Sequence, residues 1–160
     1  MTRLYGRSPR GKRLLAKSPH GHWRTTTMLS SIRLDGTTAC MTVEAATDTD
    51  VFRAYVHEIL CPTLRPGDLV VMDNLSPHKN DCTLALIRAA GASVEFLPAY
   101  SPDLNPIELM WSKVKAILRA AEARSAPDLL TAIGQALRRV TAQDAPIGLP
   151  IVAIVLFKML

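Results

Sequence analysis

Residues 69–72, Leu-Val-Val-Met, form an uninterrupted apolar run that ends at Asp73. A short run without alternating polar residues is typical of a central strand that is covered on both faces. A second strand-like segment, Ser93–Leu97, follows after a helical stretch that Gly91 closes. The two segments are therefore predicted to be parallel strands whose carboxyl ends meet at one edge of a sheet.

The remaining pattern places an antiparallel hairpin before these strands and helices around them. Residues 23–44 are rich in Thr and β-branched side chains, and Asp35–Gly36 marks the hairpin turn. Helical periodicity, caps and breakers predict a helix that begins at residue 47 and is stopped by Pro62 or Pro66, and further helices over residues 79–90, 107–123 and 127–140. The order of hairpin, helix, strand, helix, strand and two helices predicts one α/β domain with a mixed sheet flanked by helices.

Two acidic residues are predicted to lie at the carboxyl ends of the parallel strands. Asp73 ends the apolar strand, and Glu108 lies in the first turn of the helix after the next strand, with 34 residues between them. Sites in open α/β sheets lie outside the carboxyl ends of the strands. Converging carboxylates bind Mg²⁺ and support displacement at phosphorus, although an Asp after a strand is equally often a turn or cap residue.

Positive charge is concentrated at the start of the chain. The formal net charge is +5, and residues 1–24 contain seven Arg or Lys and no acid. Such a segment is either a solvated arm or a contact for nucleic-acid phosphates, which release counterions when Arg and Lys approach. The candidates for DNA contact in this segment are Arg7, Arg10, Lys12 and Arg13.

Cysteine spacing and hydropathy argue against a zinc-binding, disulfide-bonded or membrane protein. Cys40, Cys61 and Cys82 are far apart, so neither a zinc knuckle nor a disulfide framework is predicted, and a reducing compartment fits. Residues 147–157 are apolar, but the stretch is too short for a membrane span and Pro150 interrupts it. A membrane partner is not expected.

Two motifs carry a family resemblance. "VVMDNLSPHK" and "VEFLPAYSPDLNPIELMWSKVK" resemble the second and third acidic motifs of DDE transposases, and within them the bacterial insertion-sequence family called six-thirty, of the mariner superfamily. The similarity extends from about Leu4 to Ala145. It implies a ribonuclease-H-like fold in which Asp73 and Glu108 are catalytic residues that bind Mg²⁺ or Mn²⁺, within a two-metal site in the complete enzyme.

The resemblance also implies a function and partners. A transposase of a bacterial insertion sequence hydrolyses a phosphodiester at the element's end, and the freed 3′-hydroxyl then attacks a phosphodiester of target DNA and displaces one of its strand ends. Double-stranded DNA is then the substrate, a second copy or a full-length transposase is the protein partner, and the location is the bacterial cytoplasm at the nucleoid. His78 and Asn105 become supporting residues, although His78 could merely begin a helix, and Lys113 and Lys115 become DNA contacts.

The chain departs from the family pattern at both ends. The resemblance implies a third acid on a first strand that precedes "YGRSPRGKR", whereas no acid occurs before Asp35. We therefore expect residues 1–145 to be a partial domain that lacks this strand and is inactive alone, and residues 146–160 to be an atypical apolar tail. Since the absent strand is central in such a sheet, unpaired strand edges and marginal stability are also expected.

The sequence leaves two alternatives open. The first is a non-catalytic fragment that binds DNA or pairs with full-length transposase and interferes with it. The second is a self-contained ribonuclease-H-like nuclease, which requires a third converging carboxylate that the sequence does not supply.

Overall fold

The computed structural model of the chain describes residues 5–15, 25–99, 101, 105 and 107–145, and the backbone of residues 151–159. Five strands are formed, β1 (Thr26–Arg33), β2 (Thr38–Val43), β3 (Leu69–Met72), β4 (Ser93–Phe96) and β5 (Ile151–Met159). The α-helices are α1 (Thr49–Tyr55), α2 (Asp81–Ala89), α3 (Glu108–Ala121) and α4 (Ala126–Leu137). No helix among these residues is long and apolar enough to cross a membrane.

The strands form one mixed sheet in the order β2-β1-β5-β3-β4. β1 pairs with β2 in antiparallel orientation, and β3 pairs with β4 in parallel orientation. The predicted mixed α/β architecture is confirmed, and the predicted order of the elements up to α4 is found.

The hairpin turn follows from two residues. Gly36 has φ +84°, a left-handed backbone that favours glycine, and the Asp35 carboxylate accepts a hydrogen bond of 2.8 Å from the Thr37 N–H. The N–H of Arg33 donates to the Thr37 carbonyl at 2.9 Å and so closes the strands. The Asp-Gly signal therefore sets the register of β1 against β2.

Helices cover both faces of the sheet. Met28 and Ile32 of β1 pack in a core cluster with side chains of α3 and α4, among them Trp111. Leu29, whose side chain alternates onto the other face, packs with Phe52 of α1 and with Val70 and Met72 of β3. The apolar run of β3 is buried from Val70 to Met72, as expected for a strand covered on both faces.

The first predicted helix is broken into three pieces. α1 begins after Asp48, whose carboxylate accepts a hydrogen bond of 2.9 Å from the Val51 N–H. A π-helical turn, Val56–Leu60, and a 3₁₀ turn, Cys61–Thr63, then end the helical stretch. Pro62 lacks the N–H that a further helical turn requires, so the backbone changes to extended conformation at Leu64.

Residues 151–159, which the sequence sets apart as a tail, form β5 in the middle of the sheet. β5 pairs in antiparallel orientation along the whole of β1 and in parallel orientation with β3. The strand edges of β1 and β3, which were expected to be open, are therefore paired. The apolar run without a helical or alternating period is typical of a strand with sheet neighbours on both sides.

One buried ion pair joins the two halves of the sheet. Arg33 at the end of β1 donates two hydrogen bonds of 2.8 Å to the carboxylate of Asp68, which directly precedes β3. Burial alone raises the pKa of Asp68, but the hydrogen bonds from Arg33 and from the Arg65 N–H outweigh this, so the pKa lies below its ordinary value of 3.8. The pair therefore stabilises the folded chain while Asp68 is ionised.

We expect Asp68→Asn to lower the free energy of unfolding by about 2–3 kcal/mol at neutral pH, because it leaves the half-buried Arg33 guanidinium without its carboxylate. The stabilisation in the native chain is present above pH 3.8 and is lost as the pH falls through the lower pKa of folded Asp68. The difference between the two proteins should therefore shrink on acidification. Urea denaturation over a pH series measures it.

The control is Asp50→Asn, which removes an exposed pair with Arg53 at 3.1 Å. Such surface pairs contribute at most about 1 kcal/mol. A loss as large in Asp50→Asn as in Asp68→Asn would contradict the role given to the Arg33–Asp68 pair.

Candidate functional site

Asp73 directly follows β3 and is held through one of its two carboxylate oxygens. Oδ1 accepts a hydrogen bond of 3.2 Å from the Leu75 N–H and lies 2.7 Å from Nδ1 of His78. Within the described part of the chain, Oδ2 accepts no hydrogen bond. The carboxylate is thus fixed in orientation while one oxygen stays available to a ligand.

His78 is the buried residue that orients this carboxylate. Its side chain is 0 % exposed, and its ring lies 4.3 Å from the Phe52 ring, centroid to centroid. Nδ1 is within hydrogen-bond distance of the Asp73 backbone carbonyl, at 3.3 Å, and lies 2.7 Å from the Asp73 carboxylate, so either contact requires the proton to be on Nδ1. Nε2 is buried and has no hydrogen-bond partner among the described residues, so within that part of the chain the ring makes its polar contacts with Asp73 alone.

Glu108 is the first residue of α3, and Asn105 shapes the turn before it. Asn105 is buried, its Oδ1 accepts a hydrogen bond of 3.4 Å from the Ile107 N–H, and its backbone carbonyl accepts one of 3.2 Å from the Glu108 N–H. A carboxylate at a helix N-terminus is stabilised by the helix dipole. In the described residues no cation or donor binds the Glu108 carboxylate, which is half-buried.

The two carboxylates line one cavity of about 380 Å³. It lies at the carboxyl ends of β3 and β4, and one wall is apolar. The lining residues are Asp73, Asn74, Leu75, Leu97, Pro98, Ala99, Ser101, Asn105 and Glu108. The two acids that the motifs single out are therefore brought to one place by the fold.

The donors in this cavity suit a hard divalent cation. Carboxylate, amide and hydroxyl oxygens are the ligands that Mg²⁺ and Mn²⁺ take in proteins, and the cavity has no thiol or imidazole lining it in the described part. Asp73 and Glu108 fit the ion as two carboxylate ligands, and water would fill the other positions. Among the described residues, no group of three His, Cys, Asp or Glu side chains is placed to hold a metal.

The basic candidates fall into two groups. Arg7, Arg10, Lys12 and Arg13 are all exposed, around a turn in which the Lys12 N–H donates to the Pro9 carbonyl at 3.0 Å. On α3, by contrast, Lys113 is bound to Asp144 at 2.6 Å and Lys115 is half-buried. The exposed segment is the better placed of the two for contact with a large anionic ligand.

Several residues of the site were not expected from the sequence. Leu75, Leu97 and Pro98 form the apolar wall, and Phe52 packs on the ring that orients Asp73. Leu75, Leu97 and Pro98 lie within the two acidic motifs, which is the signal that could have indicated them, whereas Phe52 lies outside both motifs. Trp111, on the same helix as Glu108, is 1 % exposed and lies in the core with Val114 and Met28, so it packs and is not available to stack on a base.

Comparison with known proteins supplies the family. A family model described as DDE superfamily endonuclease matches residues 1–130. The chain therefore belongs to the DDE superfamily of endonucleases. A search of curated proteins found no match.

We expect His78→Ala to weaken Mn²⁺ binding about tenfold or more, because residues that orient a metal ligand have effects of that size. The buried cavity that it leaves should also lower the free energy of unfolding by about 2–4 kcal/mol. Titration calorimetry with Mn²⁺ and urea denaturation measure the two effects on the same protein.

The matched control is Phe52→Leu, which loosens the packing on the His78 ring but leaves Nδ1 beside Asp73. It should be less stable yet bind Mn²⁺ as the native chain does. Equal loss of Mn²⁺ affinity in both variants would contradict the role of His78 in orienting Asp73 and would indicate that its ring only packs.

Proposed function

We propose that this member of the DDE endonuclease superfamily is the catalytic domain of a transposase from a bacterial insertion sequence of the six-thirty type. Its reaction is Mg²⁺-dependent cleavage of DNA strands followed by strand transfer. The observation that carries this is the shared cavity of Asp73 and Glu108 at the carboxyl ends of β3 and β4. The family match supports an endonuclease chemistry on DNA.

Each residue of the cavity has a definite part in this proposal. Asp73 and Glu108 hold the divalent ion, which when bound neutralises phosphate charge and activates water. His78 keeps the Asp73 carboxylate turned toward the cavity, and Asn105 fixes the backbone from which Glu108 projects. Phosphoryl transfer demands mainly position and charge neutralisation from the protein, so no nucleophilic side chain is required.

The sheet supports a ribonuclease-H-like arrangement with one substitution. In the order β2-β1-β5-β3-β4, β5 stands at the centre, where the resemblance places the first strand. The residues of β5 are apolar apart from Lys158 and include no acid. Ile154 of β5 pairs with Met72 of β3, so the position on β5 that corresponds to Asp73 is occupied by Val155. We infer that the described chain contributes two of the three acids and is inactive, or nearly so, on its own.

The second candidate function is a DNA-binding fragment that pairs with a second copy or with full-length transposase and interferes with it. The exposed basic segment, residues 5–15, favours it, because phosphate contacts need no active metal site. Both functions place the chain on bacterial DNA, and they differ in whether strand cleavage occurs.

The direct test is metal binding together with DNA nicking. The native chain should bind Mn²⁺ weakly, with a dissociation constant of roughly 0.1–1 mM as in the weakest carboxylate sites. Asp73→Asn and Glu108→Gln should each abolish binding, because each removes a charged ligand from a pair. Paramagnetic resonance of free Mn²⁺ measures binding, and a supercoiled plasmid or element-end duplex measures nicking.

The matched control is Glu95→Gln, which changes an exposed acid on β4 away from the cavity. It should leave Mn²⁺ binding unchanged. We expect little or no nicking by the native chain; nicking that Asp73→Asn abolishes would overturn the inferred inactivity and support the enzyme. Mn²⁺ binding that survives both Asp73→Asn and Glu108→Gln would refute the site.

DNA binding should depend steeply on salt through the basic segment. Neutralising Arg7, Arg10, Lys12 and Arg13 to Gln should reduce the slope of log K against log salt by about 3–4, since each phosphate contact contributes about 0.9. Fluorescence anisotropy of a labelled duplex over a salt series measures it.

Arg138→Gln with Arg139→Gln is the control, because both residues are exposed at the end of α4 and far in sequence from the segment. This pair of substitutions should change the slope little. If the slope is the same in the fourfold variant and the native chain, Arg7, Arg10, Lys12 and Arg13 do not contact the DNA phosphates.

A further inference from the structure

The sheet is continuous only because of β5. The residues that match the family end at position 130, and within the described part of that span the strands form two separate pairs, β2-β1 and β3-β4. β5 hydrogen-bonds to β1 on one side and to β3 on the other. Its position is therefore a slot, one strand wide, between two backbone edges.

Contacts that do not involve β5 hold this slot at its width. The Arg33 side chain reaches from the end of β1 to Asp68 before β3, with two hydrogen bonds of 2.8 Å, across the point where β5 begins. On one face of the sheet, Leu29 of β1 shares a core cluster with Val70 and Met72 of β3. These contacts link β1 to β3 without passing through the backbone of β5.

The sequence of β5 suits any slot of this kind. Residues 151–159 are Ile-Val-Ala-Ile-Val-Leu-Phe-Lys-Met, rich in β-branched residues, with one charge and no Pro or Gly. Such segments have high β-propensity and can pair with an exposed strand edge of another chain. Nothing in this composition distinguishes the slot of the same chain from that of another copy.

The chain is anchored shortly before β5. Asp144 is bound by Lys113 at 2.6 Å, and Ala145 is buried with φ −97° and ψ 157°, the extended backbone that a following proline requires. The five residues 146–150, Pro-Ile-Gly-Leu-Pro, connect this anchor to β5 and span at most about 18 Å. β5 reaches the slot of its own chain, so a connector of this length is sufficient, but it should be sensitive to shortening.

We propose that two copies of this chain exchange β5, so that the strand of each copy occupies the slot between β1 and β3 of the other. Every backbone hydrogen bond of β5 to β1 and β3 forms equally in the exchanged dimer. The difference in free energy between the two states therefore depends on the connector and on protein concentration. This inference rests on the sheet alone and does not depend on the proposed catalytic function.

Concentration decides the balance between the two states. A short linker gives its own segment an effective concentration of the order of 1 mM at the slot, which favours the closed monomer in dilute protein. Refolding near that concentration should produce the exchanged dimer, whereas refolding about a hundredfold more dilute should produce monomer. A shorter connector should favour the dimer further, because it hinders return of β5 to its own chain.

The test is a disulfide that reports which chain supplies β5. Thr26 of β1 pairs with Met159 of β5, so Thr26→Cys with Met159→Cys joins the two strands. Cys40, Cys61 and Cys82 are first replaced by Ala, since all three are free thiols. After refolding at both concentrations, monomer and dimer are separated by size-exclusion chromatography with light scattering, oxidised and run on a non-reducing gel.

We expect the dimer to become covalently linked and the monomer to form an internal disulfide. The control is Thr27→Cys with Val43→Cys, which joins β1 to β2 within one hairpin. That disulfide should stay internal in both fractions. A dimer that carries only internal β1–β5 disulfides forms through another surface and would overturn the proposal.

A second variant tests the exchange of β5 without the Thr26→Cys and Met159→Cys substitutions. Deletion of Ile147 and Gly148 should raise the dimer fraction at least about tenfold at low concentration, since the intramolecular effective concentration falls when a linker cannot span its sites. Absence of dimer both in this variant and in the native chain refolded near 1 mM would also overturn the proposal. Should the deletion variant fail to fold, the native concentration series decides alone.

Discussion

Backbone pairing of β5 with β1 and β3 is the constraint on which the rest of the structure depends. Met28, Leu29, Val70 and Met72 are all 0 % exposed, so the edges of both strands lie in the core and their N–H and C=O groups need partners. Only β5 supplies those partners on the inner side of each strand. The two core clusters, one on each face, then pack against a single sheet.

The sheet in turn determines where the charged groups of the chain lie. At one edge, Asp68 is neutralised by Arg33, and near the last helical turn Asp144 is neutralised by Lys113. At the opposite edge, among the described residues, Asp73 contacts only a histidine and a backbone N–H, and Glu108 has no cation. The two carboxylates that line the cavity therefore have no cation among the described residues and can serve as ligands for a divalent ion.

The rigidity of the cavity has separate sources on its two sides. Asp73 extends a strand buried on both faces, and the His78 ring that orients it is packed on Phe52. Glu108 begins a helix whose buried face includes Met110, Trp111 and Val114, so its backbone is held by the core. Both carboxylates therefore project from regular elements, which hold ligand geometry more closely than loops do.

The sequence by itself determined the order of elements up to α4, the position of the hairpin turn and the two acids, because apolar periodicity, Asp35–Gly36 and the strand that ends at Asp73 are local signals. It did not reveal the contact of His78 with Asp73, or Phe52 behind it, since these residues are brought together by packing between α1 and the segment after β3. Nor did it reveal the role of residues 151–159, which carry no period of their own. Their place between β1 and β3 was decided only by the tertiary structure, since a strand acquires its pairing partners from edges that distant parts of the chain build.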